Sequence, residues 1–240
     1  MAAGHDHARA FGRQHPRRLE TDAGGRAGDQ ARAVAQAEIH GGASLVRPVT
    51  TLLLVRHGET DWNREGRWQG HSDTRLNELG REQAARLAGE LDGIDAIYSS
   101  DLARARETAD VVGRRLGLDV RVDDRLRERS FGAWEGKTGS EIEAEFRDAH
   151  ARWLTGEGPG ADDAEPFADF AARVQSFLQE VLVRHPEETV LVVAHGGSIR
   201  VIHALAGGLD YVRDHRSIPG VPNCTVARYA AREGKLAPLD

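Results

Sequence analysis

After Pro48 the chain alternates between two hydrophobic patterns. Short unbroken apolar runs, Thr51 to Val55 and Thr189 to Ala194, have the length and the Leu/Val content of strands buried on both faces. Between and after them, apolar residues recur at steps of three and four. Asn77 offers an N-cap to a helix with Ala84, Leu87 and Leu91 inward. Leu102, Ala105, Ala109, Val112 and Leu116 mark a second helix, which Gly117 stops. Residues 139–154 read as a third. Pro166 opens a fourth, with Phe167, Phe170, Val174, Phe177, Leu178 and Val181 as its buried stripe. A fifth follows Ala194 and runs to about Ala206. Ala96 to Tyr98, Val120 to Val122 and Asn223 to Tyr229 read as further strands. Strands alternating with helices predict an α/β fold: three layers, a mostly parallel central sheet, helices on both faces.

Residues 1–48 break this pattern. They are rich in Ala, Gly, Arg, Asp and His and lack periodicity, so they read as a disordered extension ahead of a domain at 49–240. The extension carries seven Arg against five Asp/Glu, a charge of +2, which leaves −8 on the remainder and −6 overall. An organelle transit peptide is an alternative, disfavoured by the interspersed acids, and an over-extended start is another. His5, His7, His15 and His40 are spaced too irregularly for a metal tract.

The rest of the composition narrows the function. No apolar run reaches the ~20 residues that cross a bilayer, and no signal-type apolar segment opens the chain, so a soluble, cytoplasmic protein without a membrane partner is expected. Only 5% of residues are aromatic and no Lys/Arg block is present, which disfavours a nucleic-acid partner. Cys224 is the only cysteine, so there is no intrachain disulfide or cysteine zinc cluster, and a small core residue is the simplest reading. The pattern sets no oligomeric state.

Candidate chemistry comes from an internal echo. The runs ending at His57-Gly58 and at His195-Gly196 are both apolar strands closed by His-Gly. In an open α/β sheet, ligands bind beyond the carboxyl ends of the strands, so two parallel neighbours would bring both imidazoles to one edge. One such histidine is usually structural; two on matched strands, one preceded by Arg56, favour function. The planar guanidinium of Arg56 suits phosphate. Gly196 and Gly197 open a helix whose free N–H groups favour an anion. Arg104 sits where a strand hands over to a helix, near the same edge. Glu128, between Arg127 and Arg129, is either half of a surface ion pair or an acid–base group. Two histidines and an arginine with no cluster of carboxylates make a poor cation site, so no metal and no cofactor are expected.

These residues resemble the histidine phosphatase superfamily, the phosphoglycerate-mutase-like family, from about Thr51 to about Tyr229. Arg56-His57-Gly58-Glu59-Thr60 with Trp62-Asn63 is similar to its first signature, and Gln69-Gly70 with Leu76 to Gly80 to the stretch after it. Ser99 to Ala105, Leu126 to Arg129 with Phe131-Gly132 and Trp134 to Gly136, and Ala194 to Gly197 resemble the second, third and fourth. Four ordered motifs are a far more specific signal than one tripeptide. The resemblance implies a phosphoglycerate-mutase-like fold, His57 as a nucleophile that becomes phosphorylated, and Arg56, Arg104 and His195 as holders of the phosphoryl oxygens. It implies Glu128 as acid/base, and Asn63, Gln69, Gly70 and Gly196 at the substrate. The partner is then a small-molecule phosphate ester.

Phosphatase is favoured over cofactor-dependent phosphoglycerate mutase. Only 66 residues separate Glu128 from His195, where such mutases carry a longer basic insertion, and Ser130-Phe131 replaces their His-Tyr. A third reading, a binding module that has lost its chemistry, predicts a broken constellation, and here all five core residues are present. Family phosphatases often show Gly-Gly-Glu ahead of the long helix, where this chain has Gly160 to Glu165.

Overall fold

The computed structural model describes residues 49–239; the extension expected over 1–48 lies outside them. The elements are β1 (Thr50–Arg56), α1 (Asp61–Arg64), α2 (Glu78–Glu90), β2 (Ala96–Ser99), α3 (Ala103–Leu116), β3 (Val120–Val122), α4 (Gly139–Glu145) and α5 (Arg147–Thr155). There follow α6 (Phe167–Arg184), β4 (Thr189–Ala194), α7 (Gly196–Ala206), α8 (Tyr211–Asp214), β5 (Val226–Arg232) and β6 (Lys235–Leu239). The sheet order is β3-β2-β4-β1-β5-β6. The first four are parallel, while β5 and β6 are antiparallel additions at one edge.

The alternation of side chains along each strand builds the layers. Leu52, Leu54, Val190 and Val192 face one way and pack with Phe170, Val174 and Phe177 of α6 and Ile199 and Ile202 of α7. Leu53, Val55, Leu191 and Val193 face the other way, against Leu87 of α2 and Ala105, Ala109 and Val112 of α3. This is the three-layer α/β arrangement expected from the pattern. A third apolar cluster stands apart from the sheet, around Trp134 and Ile142, with Trp68, Phe131, Phe146 and Trp153 packed against it.

Local signals set the helix ends. Asn77 Oδ1 accepts from the Gly80 N–H at 2.8 Å and starts α2, and Gly117 ends α3 in the left-handed region at φ 70°. Two expectations are corrected. The helix expected over 139–154 is two helices, because Phe146 leaves helical geometry (φ −126°, ψ 40°) and packs its ring against the third cluster. The strand expected from Asn223 starts only at Val226. Cys224 adopts φ 52°, which no strand residue does, and its N–H donates to the Arg56 carbonyl at 2.8 Å.

Register is what matters for function. Arg56 lies opposite Ala194 across the β1–β4 pair. The residues that follow, His57 and His195, therefore leave the sheet side by side at its carboxyl edge, and the His57 N–H donates to the Ala194 carbonyl at 3.0 Å. Gly58 then turns against α2 so closely that a Cβ there would lie 2.5 Å from the Gly80 carbonyl oxygen.

Candidate active site

The two imidazoles are 5.2 Å apart, centroid to centroid, and both are buried. His57 Nδ1 lies 2.7 Å from the Gly58 carbonyl. A carbonyl oxygen only accepts, so the neutral ring carries its proton on Nδ1 and leaves the lone pair of Nε2 free. Burial, then Arg104 and Arg56, hold the His57 pKa well below the ordinary histidine value of 6.5. Burial, Arg104, His57 and Arg56 do the same to His195.

Arg104 is fully buried in the first turn of α3. Its Nη1 donates to the Ser72 carbonyl and its Nη2 to the Gly70 carbonyl, each at 2.8 Å. Burial pulls its pKa down to about 10, which leaves it a cation at neutral pH. Arg56 is anchored by Nη1 on the Val221 carbonyl at 2.8 Å. A Cβ on Gly196 would sit 3.8 Å from Arg56 Nε and 3.9 Å from Glu128 Oε2, so both side chains reach the start of α7. Arg56 Nε, Arg104 Nε and both ring nitrogens of His195 are buried without a hydrogen-bond partner. Buried polar atoms are nearly always paired, so four such atoms in one place mark a spot suited to a multivalent acceptor.

Glu128 is held from two sides. Its Oε1 accepts from the Arg129 N–H and its Oε2 from the Gly197 N–H, both at 2.9 Å. Its carbonyl accepts from Arg173 Nη2 at 2.8 Å and from His71 Nε2 at 2.9 Å. Arg173 also grips the Arg125 and Arg127 carbonyls and is locked by Glu165 at 2.7 Å. Thus Glu165, at the end of the segment where this chain departs from the Gly-Gly-Glu pattern, braces the backbone of Glu128 through Arg173. A Cβ on Gly197 would fall 2.0 Å from Glu128 Oε1. Gly197→Ala is therefore expected to expel the carboxylate from its seat, crowd the Phe170 ring at 3.1 Å and lower kcat by roughly 10²-fold. Turnover close to that of the parent chain would contradict it.

The structure thus gathers His57, His195, Arg56, Arg104, Glu128 and Gly196 at one edge. Asn63 joins them through Asn223, whose Nδ2 donates to the His57 carbonyl at 2.7 Å and lies 3.5 Å from Asn63 Oδ1. Asn63 Oδ1 also accepts from the Thr60 N–H in the capping box of α1. Gln69 and Gly70 stand one step behind. Gln69 Oε1 accepts from Thr74 Oγ1 at 2.6 Å, and Gly70, at φ 52°, offers its carbonyl to Arg104.

Several contributors had no role assigned from the sequence, although Glu135 and Thr108 lie in the motif stretches. Glu135 ties the His71 and Ser72 loop to Phe131 through five hydrogen bonds. Thr108 Oγ1 accepts from the Gly58 N–H and donates to the Arg104 carbonyl. Arg173 carried a signal, an arginine beside the apolar stripe of α6. Asn223 carried none. A cleft of about 360 Å³ opens beside the site, lined at one end by Arg56, Glu128, Gly196 and Gly197. Among the described residues no group of three or more His, Cys, Asp or Glu could hold a metal ion. No helix there is long and apolar enough to cross a membrane.

A model of the histidine phosphatase superfamily (branch 1) matches residues 52–238. A glucosyl-3-phosphoglycerate phosphatase of Mycobacterium tuberculosis is 40% identical over 163 residues, 64% of this chain and 73% of that protein. Phosphoserine phosphatase 1 of Hydrogenobacter thermophilus is 38% identical over 164 residues, 66% of this chain and 77% of that protein. A bifunctional protein of Mycobacterium tuberculosis is 41% identical over 160 residues, and the match spans only 44% of its length. Among solved structures, a mycobacterial glucosyl-3-phosphoglycerate phosphatase complexed with VO3 superposes at a TM-score of 0.70, with 34% identity, over 79% of this chain and 96% of that one.

Proposed function

The chain belongs to the histidine phosphatase superfamily (branch 1), and from that premise we propose that it hydrolyses phosphate monoesters of small metabolites through a phosphohistidine on His57. The observation that carries this is the convergence on one spot of two buried imidazoles, the buried guanidinium of Arg104 and the half-buried one of Arg56, with unpartnered nitrogens among them. The relatives named as phosphatases of phosphorylated metabolites support the same reading.

The proposed chemistry balances in two steps. His57 Nε2 attacks phosphorus as the ester P–O bond breaks, and the Glu128 carboxyl gives its proton to the departing oxygen. Water then attacks phosphorus as the P–N bond breaks, and the Glu128 carboxylate takes the water's proton. Nε2 regains its lone pair and inorganic phosphate leaves. Arg56, Arg104 and His195 cancel charge on the oxygens throughout, which is most of what phosphoryl transfer asks of a protein. Asn63 and Gly196 contribute at the rim, and Gln69 and Gly70 through the loop that holds Arg104. Action without a metal and a cytoplasmic location are part of this reading. The first is supported by two guanidiniums, cations with no lone pair to offer a metal, the second by a single cysteine that allows no intrachain disulfide.

A panel of phosphate monoesters assayed with excess chelator tests it. The expected result is release of inorganic phosphate at the same rate with and without chelator. Isomer exchange of 3-phosphoglycerate primed with its bisphosphate, without phosphate release, would make the chain a mutase. Loss of all turnover in chelator would overturn the metal-free mechanism.

A further inference from the structure

We propose that the cleft beside the histidine pair selects phosphate monoesters whose alcohol carries a flat, uncharged ring over those of small aliphatic or carboxylated alcohols. The proposal rests on the phosphatase reading and concerns only the leaving group.

The far wall of the cleft is largely aromatic. Beyond Arg56 and Glu128 it is lined by Trp68, Phe131, Trp153, Phe167, Tyr211 and His215. Aromatic residues are 5% of the whole sequence, so their concentration here is local. The rings are fixed by one another. Trp68 meets Phe131 edge-on at 4.6 Å and Trp153 at 5.0 Å, and Phe167 stacks on His215 at 4.2 Å. A preformed aromatic wall binds a ring at little ordering cost.

Arg129 is occupied in building the wall, and Arg200 is in part. Arg129 places its terminal nitrogens on the Glu165 and Pro159 carbonyls and lies 4.1 Å above the Phe167 ring. Arg200 donates through Nη2 to the His215 carbonyl, while its Nε is buried without a partner. A carboxylated alcohol would surrender its water to this wall, which favours apolar surface, whereas a ring would exchange water for ring contacts.

Benzyl phosphate and ethyl phosphate test this cleanly, because their leaving alcohols are of similar acidity and the chemical step is matched. Phosphoserine supplies the carboxylated arm. The expected result is a KM roughly tenfold lower for benzyl phosphate than for either of the others. Trp153→Leu and Phe167→Leu should each remove most of that advantage and leave kcat/KM for ethyl phosphate unchanged. The two variants sit on different helices, so misfolding of one leaves the other informative. Equal KM values, a preference for phosphoserine, or variants that weaken all three esters alike would overturn the proposal. Absence of phosphate from every ester would instead overturn the phosphatase reading beneath it.

Discussion

Replacing His57 by Ala is expected to lower phosphate release by at least about 10⁴-fold, because no other group in the site can carry the phosphoryl group between the two steps. The Gly58 carbonyl, 2.7 Å from Nδ1, fixes the tautomer that presents Nε2. The neighbours of His195 leave it no equivalent device, since neither of its ring nitrogens has a partner. Rapid quench with a labelled ester should trap phosphate on the parent protein as an acid-labile adduct and trap none on the variant. Adduct on the variant, or near-parental turnover, would remove His57 from the role. The electrostatics add a sign. The folded pKa of His57 lies below its unfolded value of 6.5, so the free protein should hold this ring neutral at pH 6.5, as a ring-resonance titration would report. Its stability contribution is then complete above pH 6.5 and is lost as pH falls through that value toward the folded one.

Arg104→Met is expected to cost about 10³-fold or more in turnover. Met keeps most of the stem and removes the charge. The effect on stability is mixed. Two carbonyls, those of Gly70 and Ser72, lose their donor, at about 1–3 kcal/mol each if they stay dry. Against that, a desolvated cation disappears from beside Arg56, and burial is what drags the Arg104 pKa down to about 10. Activity should therefore collapse much further than the thermal midpoint falls. The stabilisation that inorganic phosphate gives the parent protein should also vanish. A variant within tenfold of parental turnover, or one still stabilised by phosphate, would take Arg104 out of the site.

The sequence disclosed what is local or periodic. The buried runs ending in His57 and His195 were legible because a strand covered on both faces is apolar throughout, and their register then follows from pairing Arg56 with Ala194. Helix ends at Asn77 and Gly117 were legible because capping chemistry is local. The break at Phe146 was not. The apolar spacing runs on through it, and a ring drawn into a distant cluster decides the kink. The last strand, Lys235–Leu239, was missed because it is mostly exposed, contains Pro238 and pairs only with β5. Cys224 looked like the start of a strand because its positive φ leaves no mark in hydropathy. In the site, the residues at strand and helix ends were visible. The bracing by Arg173, Glu135 and Asn223 was not, because it depends on contacts across 45, 64 and 166 positions.

The separate apolar cluster around Trp134 and Ile142 has a consequence for how this chain can change. It shares no buried member with the two layers that flank the sheet. Packing there can be reshaped without loosening the strands that aim the imidazoles. Such a division lets descendants of one ancestor keep a fixed floor and drift in their choice of alcohol, as a lathe keeps its bed when the tool is exchanged.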